Sequence, residues 1–162
     1  MTFLERLRHD PAQGAHFDAA RRYMMIRPEA LMGTFRRLPP DARAAALDAL
    51  AASIFEMGSD SARAYAATGG GGIALAQTVA RTAPELGWGV WTMDAAPDRL
   101  HLTVASSPFA AGFGPSATPV CHAIVGMLRA VGGLVFGRPA TAREIACAAC
   151  GAPACTFEAL PQ

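Results

Sequence analysis

The sequence predicts an α+β fold, with helices packed on a small antiparallel sheet. Three observations predict it. Between residues 28 and 86, apolar residues recur at three- and four-residue steps, the spacing of a buried helix face. Residues 89–106 and 142–160 read as two hairpins, strand-like runs around turn residues. Between the hairpins lies a segment apolar on nearly every side, as a helix inside a core must be. Runs of helices and runs of strands kept apart along a chain indicate the α+β class.

Residues 1–27 carry mixed charge around one apolar stretch, RYMMIRP, and form an N-terminal extension to a single domain at residues 28–162. Pro28 opens PEALMGTFRRL, where a first-turn proline suits a helix. LPPD breaks that helix, and Asp41 is placed to cap the next. In the next helix Leu47, Leu50, Ile54 and Met57 make the buried face, and Gly58 offers a point of division. TGGGG, Thr68 to Gly72, reads as a hinge or gate, followed by a helix from Ile73 to about Leu86. The first hairpin turns near Pro97 and Asp98, with a turn longer than two residues, and SSPFAAGFGPSAT reads as a loop. Thr118 is placed to cap the apolar helix from Pro119, and the last hairpin turns at CGAP.

The totals exclude several classes. A chain of 162 residues is one domain with a sizeable core. With 52% hydrophobic and 17% charged residues, it has a very apolar interior, an apolar pocket or a partner surface. A net charge of +1 gives no electrostatic case for nucleic acid. No apolar run approaches a membrane span, and MTFLERLRHD lacks a signal peptide's apolar core. The expectation is a cytoplasmic protein whose thiols stay reduced.

Familiar catalytic patterns are missing. The glycine run has no GxxxxGK[ST] around it, no GxGxxG follows a strand, and no serine sits in GxSxG. His9 and His16 lie in a polar segment, and His101 in a strand. With no nicotinamide, flavin or nucleophile motif, the reading leans away from an enzyme.

The cysteines are the informative residues. With a turn centred near Gly151, Cys147 and Cys155 stand opposite each other on the last hairpin. Opposed residues on one sheet face have Cβ atoms roughly 5 Å apart, which suits two thiolates on one Zn²⁺. Cys121, near the start of the apolar helix, supplies a third sulfur if that helix crosses the hairpin. Glu144, Cys150 and, less well placed, His122 are candidates for the fourth ligand. CAAC is also a CxxC, but it runs into a hairpin turn rather than opening a helix, which favours metal over redox chemistry.

EIACAACGAPACTF resembles the C-terminal signature of the 4-vinyl reductase domain family, roughly E-x-x-C-x-x-x-G-x-x-x-C-x-F. Glu144, Cys147, Gly151, Cys155 and Phe157 occupy its positions. TPVCHAIVGMLRAVGGLVFGRP is similar to the same family's helix, though FGRP lacks one spacer residue. The family includes aromatic-sensing input domains of phenol- and xylene-responsive activators and bacteriochlorophyll 4-vinyl reductase-type proteins. Residues 1–27 have no counterpart in the resemblance.

The resemblance implies the fold of the Golgi transport-particle and NO-signalling ligand-binding type, dimeric and enclosing a hydrophobic cavity. It implies structural Zn²⁺ on Cys121, Glu144, Cys147 and Cys155, with Cys150 an extra thiol and the alternative fourth ligand. Residues three apart on a regular strand face opposite ways, so Glu144 needs a bulge to join Cys147. The sensors hold their aromatic ligand with a histidine and a tryptophan, for which Trp88, Trp91 and His101 are the candidates. The expected cavity is lined by Trp91, His101, Phe55, Tyr65, Met127 and Phe136. The expected function is a stand-alone module, sensor or carrier, for a small hydrophobic or aromatic molecule. The alternatives are a bacteriochlorophyll-pathway reductase or tetrapyrrole carrier, and an assembly subunit without ligand. The expected interface of the homodimer is the front helices, residues 28–67.

Overall fold

The computed structural model describes residues 1–162, apart from the side chains of residues 68 and 69. Its elements are α1 (Phe3–Arg6), β1 (Arg8–Asp10), β2 (Ala15–Asp18), β3 (Arg21–Tyr23), α2 (Pro28–Arg36), α3 (Pro40–Gly69), α4 (Ile73–Thr82), β4 (Val90–Ala96), β5 (Arg99–Ala105), α5 (Pro108–Phe113), α6 (His122–Phe136), β6 (Ala140–Ala146) and β7 (Cys155–Pro161). The expected α+β fold is what forms. A four-stranded antiparallel sheet has the order β4-β5-β7-β6, and a small three-stranded sheet has the order β1-β2-β3.

The main sheet buries one face. Leu100, Leu102 and Val104 of β5 and Cys155, Phe157 and Ala159 of β7 are buried, while their alternating neighbours are less so. α6 lies on β6 and β7, α3 runs along α6, and α4 covers β4. α6 is buried at Ile124, Gly126, Leu128 and Val131, as its apolar pattern demands. The α3–α6 crossing is close: a Cβ on Gly126 would stand 2.2 Å from the carbonyl oxygen of Ala51. Only glycine lets the two backbones meet at that distance.

Several local expectations are corrected. α3 is one helix through Gly58, because Gly58 is buried against Met127 and tertiary packing outweighs its poor propensity. It begins at Pro40 with Pro39 as its cap residue, so Asp41 sits in the first turn and caps nothing. Leu47 is buried and Leu50 and Ile54 pack on the core, but Met57 is 59% exposed. The glycine loop narrows to Gly70–Gly72, with φ of +90° and +60° at its ends; the first two residues of TGGGG have side chains outside the described residues. The β4–β5 turn is two residues long, since Ala96 pairs with Arg99.

SSPFAAGFGPSAT holds α5, which the glycines and serines disguise as a loop. Ser107 caps it by accepting from the N–H of Ala110, Pro108 opens it, and Phe109 and Phe113 are buried. α6 begins at His122, with Cys121 rather than Thr118 in the cap position. Residues 1–27 fold against the rest. Phe3 is buried edge-on to Tyr23, Arg6 pairs with the buried Asp18, and the N–H of Leu4 donates to Glu85. Among the described residues no helix is long and apolar enough to cross a membrane.

Candidate metal centre and ligand cavity

The last hairpin creates the first site. Glu144 pairs with Phe157 and Ala146 with Thr156, so Ile145 is an extra residue on β6. This bulge removes the alternation problem and brings Glu144 to the side of Cys147. Beyond β6 the chain makes a tight knuckle: the N–H groups of Cys150 and Ala152 both donate to the Cys147 carbonyl, and Gly151 takes φ +95°. The N–H of Ala148 donates to the Cys155 sulfur at 3.3 Å. β7 is flanked by β5 and β6, so Cys155 is fully buried opposite Val104.

α6 delivers the third thiol. The Cys121 sulfur is 3.6 Å from that of Cys155 and 4.0 Å from that of Cys147. The N–H of Cys121 donates to Glu144 Oε2 at 3.0 Å, and Ser107 Oγ lies 3.4 Å from the Cys121 sulfur. One ligand atom from each of Cys121, Glu144, Cys147 and Cys155 can be chosen so that all lie within 4.8 Å of one another. Around a tetrahedral Zn²⁺ with bonds of about 2.3 Å, sulfurs stand roughly 3.8 Å apart. The observed sulfur spacings bracket that value. Glu144 Oε1 is buried and has no hydrogen-bond partner. A buried oxygen left unpaired is costly unless something else takes its lone pairs. Three thiols and a carboxylate are a donor set suited to zinc.

The electrostatics agree. Cys147, accepting hydrogen bonds from Cys121 and Cys155, is held far below the ordinary thiol range. Cys121 is pushed strongly up by those two neighbours, by burial and by Glu144. Cys155 is drawn down by Cys121 but lifted on balance to about 11 by Cys147 and burial. Burial, then Cys147, raises Glu144 to about 8. One thiolate suppresses ionisation of the rest, and a dication removes that conflict. Cys150 is exposed on the knuckle and lies outside the four-residue group. His122 lies outside it too, its Nδ1 3.2 Å from Asp48.

The second site is a cavity of about 270 Å³ bounded by α3, α4, α6, β4 and the end of β3. Its aromatic wall is Trp88, Trp91, Tyr65 and Tyr23, and Ile54, Val79, Leu86 and Met127 make it apolar. Trp91 is buried and its indole N–H donates to the Trp88 carbonyl at 3.0 Å, which fixes the ring. Ser61 and Thr82 add hydroxyls. Burial raises Tyr65 and Tyr23 above the usual phenol range, so both stay neutral donors. Arg6 stands 6.0 Å from the Tyr65 ring centre.

Of the residues that the sequence marks as pocket-lining, the structure gathers Trp91, Tyr65 and Met127 here. Phe55 lies elsewhere, its ring under the Arg129 guanidinium at 4.5 Å, and Phe136 packs beside Gly132. His101 pairs with Asp94 and Glu158 on the sheet face opposite Leu100 and Leu102, so strand alternation turns it from the cavity. Tyr23, Ile54 and Leu86 carry no pocket signal in the sequence. Tyr23 sits in the segment that reads as an extension, and Ile54 reads as helix core.

Residues 100–161 match the family model of the 4-vinyl reductase domain. No curated protein matches the chain by sequence. Among solved structures, the phenol-responsive sensory domain of the transcription activator PoxR, solved with phenol, superposes with a TM-score of 0.82 at 19% identity, over 98% of this chain and 86% of that one. Trafficking protein particle complex subunit 3 from Naegleria fowleri, covalently bound to palmitic acid, gives 0.59 at 13% identity, over 83% and 95%. A vinyl-4-reductase family protein from Methanocaldococcus jannaschii gives 0.47 at 13% identity, over 85% and 96%. At such identities the likeness is one of fold. The PoxR match takes in nearly the whole chain, so the N-terminal segment has a structural counterpart that the signature residues do not reveal. With Cys121, Glu144, Cys147 and Cys155 all inside the matched stretch, this chain carries a 4-vinyl reductase domain over residues 100–161.

Proposed function

We propose that this chain is a zinc-stabilised binding module for a small hydrophobic or aromatic molecule, acting as a sensor or carrier. The observation that carries the reading is the aromatic-walled cavity of about 270 Å³. The PoxR sensory domain, solved with phenol, supports it by fold. Pockets for drug-sized ligands run to about 300–1,000 Å³, so this one suits one or two rings. That size favours a small aromatic over a tetrapyrrole. Trp88 and Trp91 supply ring faces, and Tyr65, Ser61 and Thr82 are the groups available to a ligand hydroxyl.

In this reading Cys121, Glu144, Cys147 and Cys155 hold Zn²⁺, which supplies cross-linking rather than catalysis. Four protein ligands leave no open position for a reacting water. The ion ties the start of α6 to the knuckle, and α6 in turn sets Met127 in the cavity wall. The module works in the cytoplasm as a homodimer through the front helices, residues 28–67; a monomer at micromolar concentration in light scattering counts against that part.

The test uses the chain's only two tryptophans, both of which line the cavity. Phenol and 2-naphthol should each shift their fluorescence in a saturable way. Ala62, buried on the cavity wall, changed to Phe should fill the space and abolish the shift while zinc content stays the same. No saturable shift with either compound, or an unchanged shift in Ala62→Phe, removes the cavity as a ligand site.

A further inference from the structure

We propose a second metal site on the N-terminal sheet, at His9 and His16: a two-imidazole chelate for a late first-row divalent ion such as Ni²⁺, Cu²⁺ or Zn²⁺. The two histidines are direct partners across the β1–β2 ladder. Their ring centroids are 4.9 Å apart and tilted by 36°. Side chains opposed on one sheet face start from Cβ atoms roughly 5 Å apart, so rotation about the side-chain bonds turns both ring nitrogens onto one ion. Imidazole is a favoured ligand for these ions, whose affinity rises through nickel to copper.

The surroundings define the kind of site. Asp10 is engaged with its own turn: its oxygens accept from the N–H groups of Ala12 and Gln13 and from the Gln13 side-chain amide. Strand alternation also places it on the face opposite His9. The protein therefore offers two nitrogens, and water completes the coordination. His9 is exposed and His16 half-buried, so the ion is reached from solvent and exchanges freely, unlike a fully enclosed site.

The placement gives the site a consequence. His16 pairs on its other side with Tyr23 of β3, so His9, His16 and Tyr23 form a row on one face across three strands. One end of the row is in solvent and the other is in the cavity wall. An ion held by one ligand from each of β1 and β2 ties the strands that support Tyr23. The proposal does not rest on the cavity's ligand or on metal at the cysteines.

The test titrates Ni²⁺ alone into the full chain, purified with any cysteine-bound metal in place, and follows imidazole resonances. The protein has two other histidines, His101 and His122, as internal controls. The expected result is saturable broadening of His9 and His16 before the other two, with a rise in melting temperature on adding Ni²⁺. His16→Gln should reduce the affinity to that of a single imidazole and remove the thermal rise. His9→Gln, at the exposed position, should do the same, which guards against misfolding of the first variant. Simultaneous broadening of all four histidines, or unchanged nickel affinity in both variants, overturns the proposal.

Discussion

The metal corner and the cavity are built by opposite strategies. The corner draws its four ligand residues from one short stretch, a helix start and one hairpin, and aligns them to within 4.8 Å. The cavity takes its wall from five elements spread from Tyr23 to Met127, none contributing a repeated spacing. The corner is a few strong, directional bonds; the cavity is what remains where many weak contacts stop. A single substitution should therefore destroy the first and only reshape the second.

The sharpest way to break that contrast is Cys155→Ser. Structural zinc binding is worth roughly 10–16 kcal/mol, so losing one buried ligand should cost several kcal/mol of stability or abolish folding. Metal analysis and thermal melting read it directly. Full zinc content with an unchanged melt would mean that the corner is ordinary core.

Next in size is Gly126→Ala, at the contact of α6 with α3. The added carbon collides with the Ala51 backbone, and overpacking of this kind costs about 1–3 kcal/mol or more. The expected result is weaker aromatic binding with zinc retained, since Cys121 lies a turn away from the clash. Gly133→Ala on the same helix is the control. Its new carbon meets nothing nearer than the Arg138 carbonyl at 3.8 Å, so it should be neutral or stabilising by up to about 1 kcal/mol.

A pH series sharpens the contrast further. Without a cation, burial and Cys147 raise Glu144 to about 8, above its unfolded value. A raised folded-state pKa gives stability that is present at low pH and lost as pH climbs through that value. Metal-stripped protein should thus lose stability between about pH 5 and 8. Zinc-loaded protein should gain it over the same window, because its ligands must shed protons to bind. Parallel slopes in chelator-treated and zinc-loaded melts would contradict the assignment of these groups. The smallest effect belongs to Cys150→Ser: the thiol is exposed and outside the group, so zinc stoichiometry and melting temperature should not move.

Legibility in the sequence follows the same division. The opposition of Cys147 and Cys155 depends only on counting from a turn glycine, and the three-residue gap from Glu144 announces that a bulge is needed. Both are local facts, and both appear in the hairpin. Trp91, Tyr65 and Met127 are readable as cavity candidates by type, but Phe55 and Ile54 are adjacent on α3. Which of them faces the void depends on how α3 is rotated against α6, a matter of tertiary packing. α5 is unreadable because its serine, proline and glycine are loop residues that serve here as cap, first-turn residue and close contact. A Cβ on Gly112 would lie 2.5 Å from the Pro28 backbone. The small N-terminal sheet is hidden by strands of three or four residues, too short to show an alternation.

The bulge at Ile145 has a consequence in the arithmetic of the chain. On a regular strand, residues share a face when an even number of steps separates them, and Glu144 and Cys147 are an odd number apart. Ile145 is the correction: unpaired in the ladder and half-exposed, it is one residue that the strand counts and the partner strand does not. Deleting it would restore simple alternation, with Glu144 still opposite Phe157 and the glutamate and cysteine on the same side. Inserting a residue beside it has no such easy outcome. Either the bulge swells and the carboxylate turns outward, or the first half of β6 slides along β7 and carries Glu144 away from Cys121. At this position, a chain shortened by one residue stays closer to its design than a chain lengthened by one.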